Sequence, residues 1–268
     1  MRGGRHAALP VVVALAVVAT SAGCTDHHNH ATPPPTPTPS ATCKLIVTET
    51  GFTAHRAYLS GQRIPEDDSM RVGVLVKNPC PDVAMGVSVT ASGADKSGAI
   101  LPNPLYPGDK IRATAEVPVI APGATVAVSA GMGITDARGN TPAAFRNVTK
   151  FDATARASCW AKPHDKREHT PTASKVSVGP TDADGHSADR YANITFTVTP
   201  SEPSGPTLAV AVFRDSTGRL LDAEEGTGTY STASPPAGQS VISVWVPRNA
   251  AVSRTQVMVR PAPKTPQC

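Results

Sequence analysis

The sequence predicts an all-β protein built from short antiparallel strands. From residue 43 onward, apolar and polar residues alternate with a period of two, which is typical of strands with one buried face. The chain of 268 residues contains 27 Pro and 21 Gly, which favour turns between strands. No segment carries the 3.6-residue apolar stripe of a long helix. We therefore expect two antiparallel β-sandwich domains that follow a signal peptide and a Pro-rich tether.

Residues 1–23 have the anatomy of a bacterial lipoprotein signal peptide. Arg2 and Arg5 precede an apolar stretch from Ala8 to Ala19, and small residues then lead to Cys24, whose thiol can carry lipid. The apolar stretch is too short to span a bilayer. We expect the mature chain to begin at Cys24 and to be held on the extracytoplasmic face of the cell membrane by acyl chains such as palmitate.

One position of this signal allows an alternative. Ser21 stands three residues before Cys24, where Leu is usual in lipoprotein signals. Ordinary cleavage after the small residues 21–23 would instead release a secreted protein. The lipoprotein interpretation is favoured because the basic, apolar, small and Cys segments all follow in order.

Residues 24–42 are predicted to form an extended tether. Five prolines stand between Ala31 and Ala41, with Thr and Ser among them and almost nothing apolar to bury. Such a segment favours the polyproline II conformation, which rises ~3.1 Å per residue. We interpret the tether as a spacer that holds the folded part of the chain away from the membrane.

The alternating strands fall into two similar halves, residues 43–160 and 173–268, separated by a polar linker at 161–172. Each half has a strand, a Pro-containing loop, a second strand and an Asp-x-x-Gly turn, and a later strand begins after a Pro-Gly type of turn. This recurrence predicts two domains of roughly 110 residues each. The expected strands centre on residues 72–76, 83–89, 124–130 and 151–157 in the first half, and on 194–198, 208–212, 242–246 and 257–259 in the second.

The turn signals of the second half also carry a family resemblance. The stretch 210–221 contains the turn Asp215, Ser216, Thr217, Gly218, and the stretch 236–246 begins with Pro-Ala-Gly before a strand. This arrangement resembles the immunoglobulin-like or FxLYD-type β-sandwich domains of bacterial envelope lipoproteins, and residues 72–98 with 121–130 match it more loosely. The chain departs from that family in its insert at 99–110 and in lacking the aromatic triplet. The resemblance implies an immunoglobulin-like fold and identifies no activity.

Four cysteines besides Cys24 are expected to form disulfide bonds, because an even number of cysteines in an exported chain is typical of such bonds. Cys43 precedes the first strand and Cys80 follows the second, so an up-and-down pair of strands brings both to one end of the sandwich. Cys159 would then pair with Cys268. A zinc site is the alternative, and it is disfavoured because no two of these cysteines have the close spacing of a metal-binding motif.

Two kinds of metal site, one on histidines and one on carboxylates, are alternatives to purely structural roles for these residues. His27, His28 and His30 lie together in the tether, where three imidazoles could share a soft divalent ion, although a solvated spacer explains them equally well. Asp182 and Asp184 have the spacing of two calcium ligands, but ordinary Asp-Gly turn chemistry also accounts for them. The acidic run 66–68 invites the same calcium interpretation. We predict no cofactor.

Composition and motifs disfavour several classes of function. The formal net charge is +4, with 5 Phe, 4 Tyr and 2 Trp, so the chain lacks the basic, aromatic-rich surface of a nucleic-acid-binding protein. Neither a nucleophile elbow, a zinc-protease motif nor a phosphate-binding loop is present. We therefore expect a protein that is not an enzyme. An uncharacterised cell-wall hydrolase stays as an alternative.

The insert at 99–110 is the predicted contact surface for a partner. It places Leu101, Leu105 and Tyr106 among prolines, and loops on a rigid sandwich commonly carry recognition. The alternative is that these apolar side chains fold back over the end of the core. The expected function is contact with another envelope protein or a cell-wall polymer, and a small-ligand or metal carrier that binds Ca, Zn or Cu is the second interpretation.

Replacement of the lipid-carrying thiol tests the anchor directly. The Cys24→Ala protein should leave the membrane fraction for the medium or accumulate with its signal peptide attached, because it has no atom to acylate. Cell fractionation with immunoblotting measures this. If the Cys24→Ala protein fractionates and migrates like the wild type, the prediction of a lipid anchor at Cys24 is wrong.

Overall fold

The computed structural model describes residues 43–55, 58–59, 62–63, 68–163, 171–180, 190–199, 207–226 and 239–261. This part of the chain is almost entirely β-structure, which confirms the predicted fold class. None of its helices is long and apolar enough to cross a membrane. The strands are β1 (Ile46–His55), β2 (Tyr58–Leu59), β3 (Gln62–Arg63), β4 (Ser69–Lys77), β5 (Val83–Ala94), β6 (Arg112–Ile120), β7 (Thr125–Gly133), β8 (Lys150–Arg156), β9 (Cys159–Ala161), β10 (Thr172–Val178), β11 (Arg190–Thr199), β12 (Thr207–Arg214), β13 (Leu220–Glu225), β14 (Gln239–Val246) and β15 (Gln256–Pro261), with one short helix, α1 (Ala143–Arg146).

The first half contains two antiparallel sheets that enclose a common core. Sheet 1 has the strand order β1-β4-β7, and sheet 2 has the order β6-β5-β8, with β9 also paired to β5. Alternate residues of β4, such as Val72 and Val74, point into this core and are fully buried, as the period-two pattern predicts. Ile111, Phe145 and Phe151 close the core at the end that lies away from Cys43.

The second half repeats this arrangement with two further antiparallel sheets. Sheet 3 has the order β13-β12-β15, and sheet 4 has the order β10-β11-β14. Ile194 and Phe196 of sheet 4 pack against Ala211 and Phe213 of sheet 3 in the second core. Each of the four sheets draws its described strands from one half of the chain only.

Sheet 1 of the first half and sheet 3 of the second half also pack against each other. Leu75 and Ala127 of sheet 1 form a third buried cluster with residues of sheet 3, which are Val210, Val212, Leu220 and Ala223. Strand β4 is therefore buried on both faces, although its alternation had predicted one buried and one solvated face. The described residues of both halves accordingly belong to a single compact unit.

Two glycines allow the backbone of β13 to lie directly on sheet 1. Gly51 of β1 and Gly73 of β4 are partners in the sheet register, so they form a flat patch across two strands. A Cβ atom on Gly73 would stand 2.6 Å from the carbonyl carbon of Asp222, and one on Gly51 would stand 2.9 Å from that of Leu221. Only residues without a side chain permit so close an approach of two backbones.

The disulfide bond Cys43–Cys80 closes one end of the first half. This is the end at which the predicted tether, residues 24–42, precedes Cys43. The two Cα atoms are 5.9 Å apart, and this pair was predicted from the sequence. The fully buried Asn78 organises the same end, since its amide nitrogen donates to the carbonyl oxygens of Asp82 and Ile120, each at 2.9 Å. Cys159 is also disulfide-bonded, but Cys268 lies outside the described residues, so their pairing stays a prediction.

Substitution in the glycine patch should destabilise the whole unit. Gly73→Ala places a methyl group against the β13 backbone, which cannot move aside without opening the third core. We expect a loss of about 2 kcal/mol or more in the free energy of unfolding. Urea denaturation measures it.

The matched control is Gly133→Ala, in the neighbouring strand β7 of the same sheet. A Cβ atom at Gly133 would meet no atom within 4 Å. This substitution should leave stability unchanged or raise it slightly, because Gly133 has no positive φ, a methyl group meets no clash there, and alanine restricts the unfolded chain. Equal effects of the two substitutions would contradict the close packing of β13 on Gly73.

Candidate functional site

The first half has two ends of different character. At the tether end, Ile46 pairs with Lys77, and at the opposite end His55 pairs with Ser69. Strand β1 has ten residues, so the two ends are separated by about 30 Å. We call the second end the distal end, and it carries the loops 95–110 and 134–142 together with α1.

The predicted contact loop lies at the distal end, and its apolar residues divide into two groups. Leu101 and Leu105 pack against the first core, whereas Tyr106 is 63% exposed. The backbone N–H of Leu101 donates to the carbonyl oxygen of Gly93 at 2.9 Å, so the loop is hydrogen-bonded to β5. The two leucines therefore fold back over the end of the core, as the alternative interpretation expected. Of the three residues, only Tyr106 offers a largely exposed apolar surface.

Tyr106 borders a polar cleft of about 520 Å³ at the end of β7. Asp109, Lys110 and Arg112 supply charges to its walls, and Met132 and Leu105 supply apolar surface. The side chain of Asn103 accepts a hydrogen bond from the backbone N–H of Leu105 at 2.9 Å, which fixes the loop beside the cleft. An exposed ring next to fixed charges is a suitable surface for contact with a polar partner.

A second cavity of about 780 Å³ opens at the same end of the molecule. Its apolar wall is formed by Phe52, Met70, Ile134, Phe145 and Val148. Its polar lining includes His55 and Asp68, which are 7% and 2% exposed, and the more accessible Asn140 and Arg146. Apolar walls with a few polar groups are typical of small-ligand sites.

His55 connects this cavity to the second half of the chain. Its ring lies 5.3 Å from that of Trp245 in β14, and Trp245 lies 5.2 Å from Tyr191 in β11 in an edge-on arrangement. His55 also interacts electrostatically with Glu224 of β13. The cavity wall is thus supported from behind by residues of sheets 3 and 4.

A buried polar cluster joins the two halves behind His55. Thr53 donates a hydrogen bond to the carboxylate of Asp222 at 2.9 Å, and Arg71 forms an ion pair with Glu224. Burial raises the pKa of Asp222 to about 7, and repulsion by Glu224 adds to this effect. Burial also raises the pKa of Glu224, although Arg71 opposes the increase. The cluster therefore holds the carboxyl group of Asp222 partly protonated near neutral pH.

The position of this cluster indicates a structural role for Asp222. The residue is 1% exposed and its side chain lies between β13 and sheet 1, where no substrate could reach its carboxyl group. A second ion pair across the same interface joins Arg214 to Glu49 at 2.8 Å, farther toward the tether end. Hydrogen bonds to Arg214 hold the pKa of Glu49 below its usual value. Both contacts fix the orientation of sheet 3 on sheet 1.

Three Asp-x-x-Gly turns share one hydrogen-bond pattern. The Oδ1 atoms of Asp95, Asp136 and Asp215 each accept from the backbone N–H groups two and four residues later, at 2.8–3.0 Å. The last residue of each turn is a glycine with positive φ. The sequence predicted the first and third of these turns. The turn at Asp136 has the same signature and was missed.

Several predicted site residues lie outside the described part of the chain. These are Cys24, His27, His28, His30, Asp182 and Asp184. Of the acidic run 66–68, only Asp68 is described, and it lines the distal cavity. Within the described ranges, no group of three or more His, Cys, Asp or Glu side chains is placed to hold a metal ion.

Sequence reasoning missed the interface cluster and the distal cavity. Period-two alternation places Arg71 on the face of β4 opposite Val72 and Val74, which predicts a solvated side chain, and the acids of β13 have no distinguishing motif. The available signal was the pair of glycines inside strands β1 and β4, since glycine in a strand often marks a close backbone approach. Their register partnership could not be read without the sheet.

No model of a known protein family matches the chain, and no curated protein sequence matches it. The candidate site therefore depends on geometry alone.

The raised pKa of Asp222 predicts how stability depends on pH. The folded protein keeps this carboxyl protonated up to about pH 7, whereas the unfolded chain ionises it near pH 3.8. Unfolding thus releases a proton between these values, so the free energy of unfolding falls as pH rises from ~4 to ~7, by at most about 4 kcal/mol. Asp222→Asn should remove most of this decline, as urea titrations at several pH values would show.

Asp215→Asn is the matched control, because its carboxylate behaves in the opposite way. Hydrogen bonding, chiefly from Thr217, lowers the pKa of Asp215 to about 2. Its contribution is present above pH ~4 and is lost as pH falls toward 2, so this substitution should lower stability by a constant amount above pH ~4 and change its pH dependence only below that value. An unchanged slope between pH 4 and 7 in Asp222→Asn would refute the assignment.

Proposed function

We propose that the protein is a non-catalytic lipoprotein of the outer face of the cell membrane, anchored through Cys24, that contacts another envelope protein or a cell-wall polymer. The observation that carries this proposal is the polarity of the first half. The tether joins at the Cys43 end, while the Tyr106 cleft and the His55 cavity both lie at the distal end. A protein anchored at one end and exposed at the other would present these surfaces outward.

The rigid union of the two halves supports the same proposal. Sheet 3 is fixed on sheet 1 by the third core, by the Arg71–Glu224 pair and by the Arg214–Glu49 pair. The second half therefore braces the distal end, since Trp245 contacts His55 directly. A preorganised surface loses less conformational entropy when a partner binds.

Site-specific crosslinking in intact cells tests this function. A photoreactive benzoyl-phenylalanine at position 106 should capture one discrete protein or wall fragment, because Tyr106 is more exposed than the other exposed large hydrophobic side chain of the loop 95–110, Ile100. The matched control is the same group at Val252, which is 37% exposed in the second half and should capture nothing specific. Identical products from both positions, or none at 106, would overturn the proposal.

The exposed ring should matter for binding and not for folding. Tyr106→Ala should change the free energy of unfolding by less than about 0.5 kcal/mol, as for most surface substitutions. The half-buried Leu105→Ala should cost more, because its side chain packs on the first core. Loss of binding to the captured partner by Tyr106→Ala in a pull-down, with an unchanged urea midpoint, is the expected result. A lower midpoint would assign the ring to the core.

A small-ligand carrier is the second candidate function, and the distal cavity favours it. Its apolar wall and its buried His55 and Asp68 could enclose an apolar molecule that carries a hydrogen-bonding group. Native mass spectrometry of the protein isolated from its own envelope should then show a bound mass. Ala54→Trp, which adds bulk at the cavity rim, should remove it. A mass equal to the lipidated chain alone would exclude this function.

A further inference from the structure

A groove of about 890 Å³ runs along the tether end of the first half, between the beginning of β1 and the end of β8. Leu45 and Val47 on one side, and Ala155 and Ala157 on the other, form its apolar floor and pack on the first core. Trp160 of β9 lies at one end of the groove and is half-buried. Neither the candidate site nor the proposed partner contact involves this surface.

The rim of the groove combines exposed apolar surface with positive charge. Ile46 is 48% exposed, more than the other exposed aliphatic side chains of the described residues, which are Ile100, Val241 and Val252. Among the residues that the structure describes, the charged ones that line the groove are Lys44 and Arg156, both exposed, and none of the lining residues is a carboxylate. The neighbouring acids Glu49 and Asp82 are already paired, with Arg214 and Lys162 respectively. The groove is therefore an apolar surface with unbalanced positive charge.

The groove begins at Cys43, the first described residue after the tether. This is the part of the folded unit that the tether would keep nearest to the membrane. The groove combines the apolar Ile46 and Trp160 with two cationic side chains. This combination suits the boundary between acyl chains and anionic headgroups, where aromatic rings and cationic side chains are favoured. Charge, apolarity and position all indicate the same occupant.

We propose that this groove docks the folded unit on an anionic phospholipid surface, with Ile46 and Trp160 at the interface and Lys44 and Arg156 against lipid phosphates. This proposal depends on the proposed function in one respect, which is the location of the chain beside a membrane. The predicted tether sets the largest distance between the folded unit and the membrane. Docking through the groove is the state in which the unit lies directly on the membrane. Because the anchor keeps the groove at high local concentration, a weak contact suffices.

Docking would also orient the molecule. The groove lies at the opposite end of β1 from His55, so contact at the groove directs the Tyr106 cleft and the distal cavity away from the lipid surface. A tether alone fixes distance without fixing orientation. The groove would therefore help the distal end to meet its partner.

Lipid quenching of tryptophan fluorescence tests the proposal without the anchor. The mature chain, residues 24–268 with Cys24→Ser, carries no acyl group, and Trp245→Phe leaves Trp160 as its single tryptophan. Vesicles of phosphatidylglycerol with brominated phosphatidylcholine should quench Trp160, whereas purely zwitterionic vesicles should not. Binding should weaken as salt increases, because the contact is electrostatic in part. Absence of quenching on anionic vesicles would refute the proposal.

Charge reversal supplies the matched comparison. Each cation near an anionic membrane strengthens binding roughly fivefold, so Lys44→Glu with Arg156→Glu should reduce vesicle partitioning at least about twentyfold. Lys96→Glu with Arg138→Glu changes the net charge equally at exposed positions of the distal end and should bind like the parent chain. Equal losses in both double variants would indicate attraction by overall charge and contradict the groove.

Vesicle flotation of the chain that retains both tryptophans gives a second measurement should Trp245→Phe disturb the packing around His55. Flotation that depends on Lys44 and Arg156 supports docking, and flotation that does not depend on them overturns it. Failure of the lipid anchor is a separate outcome. It would appear as wild-type fractionation of Cys24→Ala in cells, whereas vesicle binding by the unacylated chain is independent of it.

Discussion

The close approach of strand β13 to Gly51 and Gly73 is the contact on which the rest of the structure depends. It removes the outer face of sheet 1 from water and creates the third core, so that β4 is buried on both sides. Without it, each half would be a separate sandwich joined by a linker. With it, the position of the second half relative to the first is fixed by backbone contact and not by side-chain preference alone.

This approach also explains the unusual ionisation at the interface. Once β13 lies on sheet 1, Asp222 is almost fully excluded from water and Glu224 largely so, and Arg71 and Thr53 are their main partners there. One arginine cannot fully compensate two buried carboxylates, so the proton stays on Asp222 at a pH where it would ordinarily leave. The cluster thus costs stability at neutral pH while it specifies how the halves meet.

The surfaces available for function follow from the same arrangement. Because sheets 1 and 3 cover each other, the exposed features of the first half are confined largely to its two ends. The distal end has an exposed tyrosine and two cavities, and the tether end has an apolar, cationic groove. This separation suits a molecule that is anchored at one end and meets a partner at the other.

The sequence by itself determined the all-β fold class, eight of the strands, two of the three Asp-x-x-Gly turns and the Cys43–Cys80 bond, because alternation, turn spacing and cysteine placement are local signals. The export signal and the tether at residues 1–42 were inferred from the sequence in the same way, and both stay predictions. Only the tertiary structure decided which faces of the strands are doubly buried, that Leu101 and Leu105 join the core while Tyr106 does not, and that Asp222 and Glu224 meet Arg71 across 150 residues of sequence. Period-two patterning specifies that a face is apolar or polar, but burial against a second sheet depends on partners that no local window contains.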